Sequence, residues 1–266
     1  MTTDLDLLRR WIAARIRMIL RTRRALVFTL ALPLVILLLF GGLNSGNLVD
    51  VVGGGKIDFA QWYTPSIAIF SLCSACYSTV IIGLANARDR GLLKRVRGTP
   101  LPMATYVTSW LVGAALTGIA SVVVLFAVAV PALGVHVYAD TLPAALVTLA
   151  LGAATLAALG LAVSSLVSSA EQAQPVAQLT FLPLTFVSGI WWPLADAPSW
   201  LVHLANVFPL AHLVDAFGGC FAPHAAGGGW AWGDLGVLAL WCAGGVAVAA
   251  RRFRWDQSGR LATVSG

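Results

Sequence analysis

The sequence predicts an all-α membrane protein with six transmembrane helices, an N-terminal interfacial amphipathic helix and short re-entrant helices between spans five and six. Of the 266 residues, 59% are hydrophobic and only 11% are charged, whereas a soluble domain carries about 25% charged residues. Long runs such as 61–86 and 105–133 contain no Asp, Glu, Lys or Arg and exceed the roughly 20 residues that a helix needs to cross a bilayer. These runs leave no separate soluble core, so residues 1–266 are predicted to form one membrane domain.

Residues 1–24 precede the first apolar run and have the pattern of a cytoplasmic interfacial helix. Apolar residues recur at helical spacing on one face, with arginines roughly opposite and Trp11 at the flank. This arrangement suits a helix that lies in the plane of the lipid headgroups. A secretory signal peptide is the alternative, but no A-x-A cleavage pattern follows Phe40, and further apolar runs do follow. The apolar face comprises Leu5, Leu8, Ile12, Ile16 and Ile19.

Six spans follow from the apolar runs, and the distribution of positive charge predicts their orientation. Of the 17 lysines and arginines, seven precede the first span, five lie between spans two and three, and four follow the last span. With six spans these groups share one side, and only Lys56 lies opposite. Because cytoplasmic loops carry the excess of Lys and Arg, both termini are expected in the cytoplasm, with 25–250 in the membrane and 251–266 as a basic tail. The predicted spans are 25–42, 61–86, 105–133, 142–167, 176–192 and 230–250.

The segment 188–217, between spans five and six, contains apolar pieces that are too short to cross and are separated by prolines. Two short helices that dip into the outer leaflet would match both the length and the hydrophobicity of these pieces. The segment also contains three tryptophans, which favour the headgroup interface. It is interpreted either as a packed extracellular cap or as an outer gate over a substrate path. The candidate gate residues are Ser188, Gly189, Trp191, Trp192, Pro193, Trp200, Pro209 and Asp215.

The sequence lacks the motifs of catalysis, metal binding and ATP binding. No predicted span has an acidic or basic residue in its middle, although such residues mark ion and proton paths. Residues 53–56 are Gly-Gly-Gly-Lys, but Asp50 replaces the first glycine of a phosphate-binding loop and Ile57 replaces its Ser or Thr. The four histidines are scattered, and Cys73 and Cys76 are interpreted as packing thiols. We therefore predict no catalytic residue, no metal site and no cofactor on this chain, which is expected not to be an enzyme.

The stretch 87–102 is a short, strongly basic loop between two apolar runs, and its charges exclude it from hydrocarbon. The positive charges of the chain lie at membrane edges rather than on a folded polar face. This placement favours anionic lipids at the cytoplasmic face and an acidic protein surface as partners, and not nucleic acid. The candidate functional residues in the loop are Arg88, Asp89, Arg90, Gly91, Leu92, Leu93, Lys94, Arg95, Gly98, Thr99 and Pro100.

Two motifs in matching order resemble the ATP-binding-cassette (ABC) type-2 exporter permeases, particularly their drug-resistance and lipid export branch. The first is the basic loop, with its charged start before Gly91 and its Thr-Pro-Leu end. The second is the pattern of Ser-Gly, prolines, Trp200 and His212 in the segment that follows span five. The resemblance covers nearly the whole chain. It implies an exporter of the bacterial plasma membrane with two permease chains, identical or sister chains, and two separate ATPase chains that bind ATP and Mg²⁺.

The resemblance also implies that the basic loop is a coupling helix that docks on the ATPase. We expect Asp89 and residues 90–97 to form that contact, and Gly98, Thr99 and Pro100 to end the helix and begin span three. The alternative is that the charges only anchor the loop on the cytoplasmic side.

The composition of the spans bears on the transported substrate. Uncharged spans rich in Ala, Leu and Val suit a hydrophobic or amphipathic substrate, such as a drug, lipid or glycolipid. A polysaccharide-exporting ABC permease is one alternative, although aromatic rings along the spans would then be expected. A non-ABC membrane carrier or accessory protein is the other.

Overall fold

The computed structural model describes most of the membrane domain. The predicted interfacial helix lies almost entirely outside the described residues, as do the middle of the basic loop and most of the basic tail, so these three features stay predictions. The described residues are 23–50, 56–92, 98, 103–194, 197–223 and 226–252.

The described residues form nine α-helices, in agreement with the predicted helical class. One π turn, Ser74–Ser78, joins α2 directly to α3, so that Phe59–Asp89 is a single helical rod. A short 3₁₀ turn, Ala226–Gly229, precedes the last helix. The helices are α1 (Arg23–Leu43), α2 (Phe59–Cys73), α3 (Thr79–Asp89), α4 (Met103–Leu133), α5 (Leu142–Ser164), α6 (Ala170–Val187), α7 (Ser199–Ala205), α8 (Pro209–Gly219) and α9 (Trp232–Arg252).

Four helices in the described part of the chain are long and apolar enough to cross a membrane: the α2–α3 rod, α4, α5 and α9. The α7–α8 pair is bent by 94° and counts as a fifth only if the two helices together form one broken span. The structure therefore confirms an all-α membrane protein but not the count of six spans. Helix α1 qualifies only as a shorter apolar helix, over Leu30–Leu43, and α6 is too polar because it carries Glu171 and three glutamines.

The predicted fifth span is shifted along the chain. We predicted 176–192, whereas α6 is Ala170–Val187. Hydrophobicity placed the start too late, because the helix begins at a polar cap where Ser169 Oγ accepts a hydrogen bond from Gln172 N. It placed the end too late because Gly189 has a φ of +75°, which turns the chain out of the helix before Trp191.

A two-stranded antiparallel hairpin lies in the connection between the first two predicted spans. Strands β1 (Leu48–Asp50) and β2 (Lys56–Asp58) pair with Val49 opposite Ile57. Asp58 then caps α2, since its Oδ1 accepts from Ala60 N at 2.8 Å and its Oδ2 accepts from Gly46 N at 2.9 Å. The hairpin therefore fixes where the central rod begins.

The α2–α3 rod lies at the centre of the bundle. In the most apolar part of the rod, 78% of the residues are buried. The corresponding values are 33% for α4 and 22% for α9. Small residues let neighbouring helices approach it closely: a side chain at Gly160 of α5 would come within 2.8 Å of the Tyr77 carbonyl oxygen. A side chain at Gly118 of α4 would meet Leu72 and Cys76. The rod is therefore packed directly against α4 and α5.

Candidate functional site

The first two predicted coupling residues, Arg88 and Asp89, are the last residues of α3, and both bind the connection between α5 and α6. The Arg88 guanidinium donates to the carbonyl oxygen of Val167 at 2.8 Å and to that of Ser164 at 3.2 Å. The Asp89 Oδ2 accepts from Ala170 N at 2.5 Å. We predicted Asp89 as an ATPase contact, but its described bond lies within the chain. The start of the basic loop is therefore fastened to a connection that sequence analysis did not link to it.

The rest of the basic loop is described only at its edges. Gly91 has a φ of +66°, a conformation that favours glycine, and its N–H bonds to the Arg88 carbonyl oxygen, so the helix ends here. Arg90, Leu92 and Gly98 are exposed. The predicted contact residues Leu93, Lys94 and Arg95 lie outside the described residues, as do Thr99 and Pro100, which we predicted to end the helix, and their roles stay predictions.

Helix α6 has an outward face that is polar in its first half. Glu171, Gln172 and Gln174 are exposed and Gln178 is half-buried, while the second half exposes Leu179, at 76%, and other apolar side chains. We name the outward-facing pair Gln174 and Gln178 the α6 polar face.

A polar bridge connects α6 to the π turn beside this face. The Tyr77 hydroxyl donates to Thr180 Oγ1 at 2.8 Å, and that hydroxyl in turn donates to the Val176 carbonyl oxygen at 2.7 Å. The π turn is widened by one residue, with the N–H of Thr79 bonding to the Ser74 carbonyl oxygen five residues back, and such turns often occur at functional sites. The arrangement joins the centre of the bundle to α6, the helix that carries Glu171 and three glutamines.

The first predicted gate residues pack around the end of α6. Ser188 is fully buried and its Oγ donates to the Leu184 carbonyl oxygen. Trp191 stacks on Phe186 with ring centroids 5.7 Å apart, and its Nε1 donates to Thr185 Oγ1 at 3.3 Å. Gly189 is required for the turn between them, because Leu194 would lie 2.9 Å from any side chain there. These residues form a packed cap over the end of α6.

The remaining gate residues are spread along the bent α7–α8 pair and the turn before it. Trp192 and Pro193 line a shallow apolar groove with Ala197, Pro198 and Leu201. Trp200 is 65% exposed. Pro209 is the buried first residue of α8, and Asp215 lies on the exposed side of that helix. Two short helices thus occur here, as predicted, while their entry into the outer leaflet stays a prediction, and the structure does not bring all of the predicted gate residues together.

His212 joins α8 to two other elements through both ring nitrogens. Its Nδ1 lies 2.7 Å from Asp234 Oδ1, at the start of α9, and its Nε2 lies 3.0 Å from the Asn206 carbonyl oxygen, at the end of α7. Both partners can only accept, so both nitrogens must donate to satisfy them, and only the protonated ring does this. The resulting charge faces Asp234 on α9 and Asp215 on its own helix.

This geometry predicts that the His212 contacts depend on pH. The stabilisation is complete when the ring is protonated. It is lost as the pH rises above about 6.5, where an ordinary histidine ring changes from its charged to its neutral form. Thermal unfolding of detergent-solubilised protein should show His212→Ala destabilised at acidic pH and close to the native protein at alkaline pH. His203→Ala, at an exposed position of α7, is the control. Equal effects of His212→Ala at both pH values would contradict the prediction.

Gln61 holds together the end of the bundle opposite the basic loop, and sequence analysis missed it. Its Nε2 donates to the carbonyl oxygens of His136 at 2.9 Å and Phe221 at 2.8 Å, and its Oε1 accepts from His136 N at 2.8 Å. Thr141 adds a bond to the Cys220 carbonyl oxygen at 2.7 Å. The only available signal was a glutamine at the start of an uncharged apolar run, which does not reveal its partners.

Comparison with known proteins identifies the family. A family model described as the ABC-2 type transporter matches residues 7–221, which include the basic loop, α6 and the bent pair. The chain belongs to the ABC-2 type transporter family. It is similar to YvfS of Bacillus subtilis (strain 168), named a transport permease, with 20% identity over 88% of this chain and 91% of YvfS. It is also similar to YbhR of Escherichia coli (strain K12), named a multidrug ABC transporter permease, with 26% identity over 65% of this chain and 46% of YbhR.

Membership of the ABC-2 family confirms the predicted resemblance and makes the chain a multi-pass membrane component of a transporter. ABC-2 permeases normally work with a separate ABC ATPase. The chain spans about half the length of YbhR. Among the described residues, no group of three or more His, Cys, Asp or Glu side chains could hold a metal ion.

Proposed function

We propose that this ABC-2 chain is the permease subunit of an ATP-driven exporter that moves a hydrophobic or amphipathic substrate outward across a bacterial plasma membrane. A separate ATPase would dock on the basic loop 87–102 and bind the ATP and Mg²⁺ itself. The observation that carries the proposal is the position of this loop, in which Arg88 and Asp89 are fastened to the α5–α6 connection while Arg90 and Leu92 just beyond are exposed. The loop is thus held at its base, and the residues just beyond the base are exposed.

The substrate class rests on two observations. The membrane helices are apolar, and the relative YbhR is named as a multidrug permease. A drug, lipid or glycolipid that partitions into the bilayer would meet such helices without needing a charged binding site.

The length of α6 supports a second permease copy beside it. Its 18 residues extend about 27 Å, slightly less than the roughly 30 Å of hydrocarbon in a bilayer. If the helix lay in water up to Gln178, the remaining nine residues would cover only about 14 Å. The α6 polar face therefore lies at membrane depth, where glutamines need polar partners or water. A polar path between two permease copies, identical or sister chains, provides both.

The proposed topology keeps the predicted six spans, with both termini and the basic loop in the cytoplasm. Helices α1 and α6 then serve as spans one and five, and α7–α8 re-enters the outer leaflet beside the packed cap. An even number of spans places the positive groups on one side, where anionic lipid headgroups attract them.

The proposed ATPase contact is tested by isolating the tagged chain from its native membrane in mild detergent and identifying bound proteins by mass spectrometry. An ABC ATPase in roughly equal amount is expected with the native chain. Reversing three loop charges, Arg90→Glu, Lys94→Glu and Arg95→Glu, should release it, because the proposed contact is electrostatic.

The matched control reverses three charges of the basic tail, Arg251→Glu, Arg252→Glu and Arg254→Glu. These residues are predicted to lie on the same side of the membrane, so the control changes the total charge equally but should retain the ATPase. Retention by both variants, or no ATPase with the native chain even after crosslinking, would refute docking on the loop.

A further inference from the structure

We infer that Arg88 and Asp89 form a clamp that transmits movement of the docking loop to α6, rather than forming part of the ATPase contact. The inference rests on the proposed function, because it states how movement imposed by an ATPase would reach the α6 polar face. It also removes Asp89 from the predicted contact and gives both residues a positioning role.

The first half of the clamp binds the end of α5. Arg88 donates to the carbonyl oxygen of Ser164, the last residue of that helix, and to that of Val167 in the following turn. The last four carbonyl groups of a helix lack partners within it and form the negative end of the helix dipole. A guanidinium with two donors in a fixed fork suits this end.

The second half binds the start of α6. Asp89 accepts from the N–H of Ala170, the first residue of α6, which is one of the four N–H groups that a helix leaves unpaired at its positive end. Two adjacent residues of opposite charge thus meet two helix ends of opposite polarity, each with the sign that attracts. The order Arg-Asp matters, because Asp-Arg would place both charges against ends of like sign.

The clamp connects the loop to α6 by a route that covalent connectivity does not provide. Along the chain the loop joins α3 to α4, and α6 begins more than 60 residues after the loop ends. Gly91 ends α3 two residues after the clamp, so a pull on the loop reaches Arg88 and Asp89 first. The close approach of α5 to the rod at Gly160 keeps α5 from moving independently. The loop, α3 and the start of α6 would then move together.

The fold does not depend on the clamp alone, which makes it testable. Ser169 also caps α6 through its bond from Gln172 N, and the Tyr77–Thr180 bridge holds α6 against the rod about two turns beyond Gln172. The exchange variant, Arg88→Asp with Asp89→Arg, keeps the net charge of the loop and reverses both contacts. Asp89→Asn is the conservative variant, since its amide oxygen still accepts.

The experiment uses the isolated permease–ATPase complex, with spin labels attached to Leu92→Cys and Gln172→Cys, which are both at exposed positions. Cys242 is replaced by serine, and the three buried cysteines are kept. Label distances are measured by pulsed electron paramagnetic resonance, without nucleotide and with ATP and vanadate. In the native background and in Asp89→Asn, the distance distribution should stay narrow in both states. In the exchange variant it should broaden at least twofold on addition of nucleotide, while the amount of bound ATPase is unchanged.

Two results would overturn the inference. If the exchange variant releases the ATPase, Arg88 and Asp89 belong to the contact after all. If it retains the ATPase and the label distances match those of the native protein in both states, the two residues do not transmit movement. Failure of the proposed function is distinguishable from both, because it appears as absence of ATPase from the native complex.

Discussion

Gln61→Leu is expected to lower the free energy of unfolding by about 3 kcal/mol, since each buried polar group left without a partner costs about 1–3 kcal/mol. Gln61 is 7% exposed, and its amide satisfies two carbonyl oxygens and one N–H from the connections that follow α4 and α8. Leucine has a similar size but satisfies none of the three. Thermal unfolding in detergent, followed by loss of the monodisperse peak in size-exclusion chromatography, measures the effect.

Two further variants separate the contacts of Gln61 from its volume. Gln61→Glu keeps the acceptor for His136 N but places a carboxylate against two carbonyl oxygens, so it should destabilise the protein as strongly as leucine does. Gln172→Leu, an exposed glutamine on α6, should change the free energy of unfolding by no more than about 0.5 kcal/mol. If Gln61→Leu is as stable as Gln172→Leu, Gln61 does not hold this end of the bundle together.

Changing both Gln174 and Gln178 to leucine is expected to reduce the rate of transport about tenfold. A tenfold change corresponds to a free energy of about 1.4 kcal/mol, which is about the contribution of two neutral hydrogen bonds. The protein itself should remain folded, because leucine is tolerated at membrane depth whether or not a path lies there. ATP-dependent efflux of hydrophobic fluorescent dyes from vesicles that contain the permease and its ATPase measures transport, and size-exclusion chromatography measures folding.

The matched control for this prediction introduces a glutamine on a helix that is expected to face lipid. Leu240 of α9 is 73% exposed, and Leu240→Gln should reduce the yield of folded protein because the amide would have no partner in hydrocarbon. Full dye efflux by the double leucine variant would place the α6 polar face away from the transport path. Normal folding of Leu240→Gln would contradict the expectation that α9 faces lipid while the α6 polar face has polar partners or water.

The sequence predicts the helices that are long and uncharged, and it fails where capping or polarity decides. The run 105–133 was placed correctly because its length and lack of charge alone determine it. The bounds of α6 were wrong because Ser169 and Gly189, rather than hydrophobicity, set them. The pairing of β1 with β2 was missed because neither strand is longer than three residues.

Contacts between distant parts of the chain could not be predicted. Gln61 bonds to residues 75 and 160 positions away, and Arg88 bonds to residues 76 and 79 positions away. In the sequence, Gln61 and Arg88 are only polar residues at the ends of an apolar run. Contact with water or with lipid headgroups would explain their presence there equally well. Which carbonyl groups they meet depends on how five helices pack, and a single sequence carries no record of that.

The π turn in the middle of the rod sets the rotational phase between these two ends. The half of the rod that begins at Phe59 must present Gln61 to its loops, and the other half must present Arg88 to the α5–α6 connection. Each residue advances a helix by about 100°, and the π turn inserts one extra residue between the halves. Deleting one residue from Ser74–Ser78 would leave both halves helical yet swing one set of contacts about a quarter-turn or more away from its partners. The number of residues in the π turn therefore keeps the contacts at the two ends of the rod aligned with their partners.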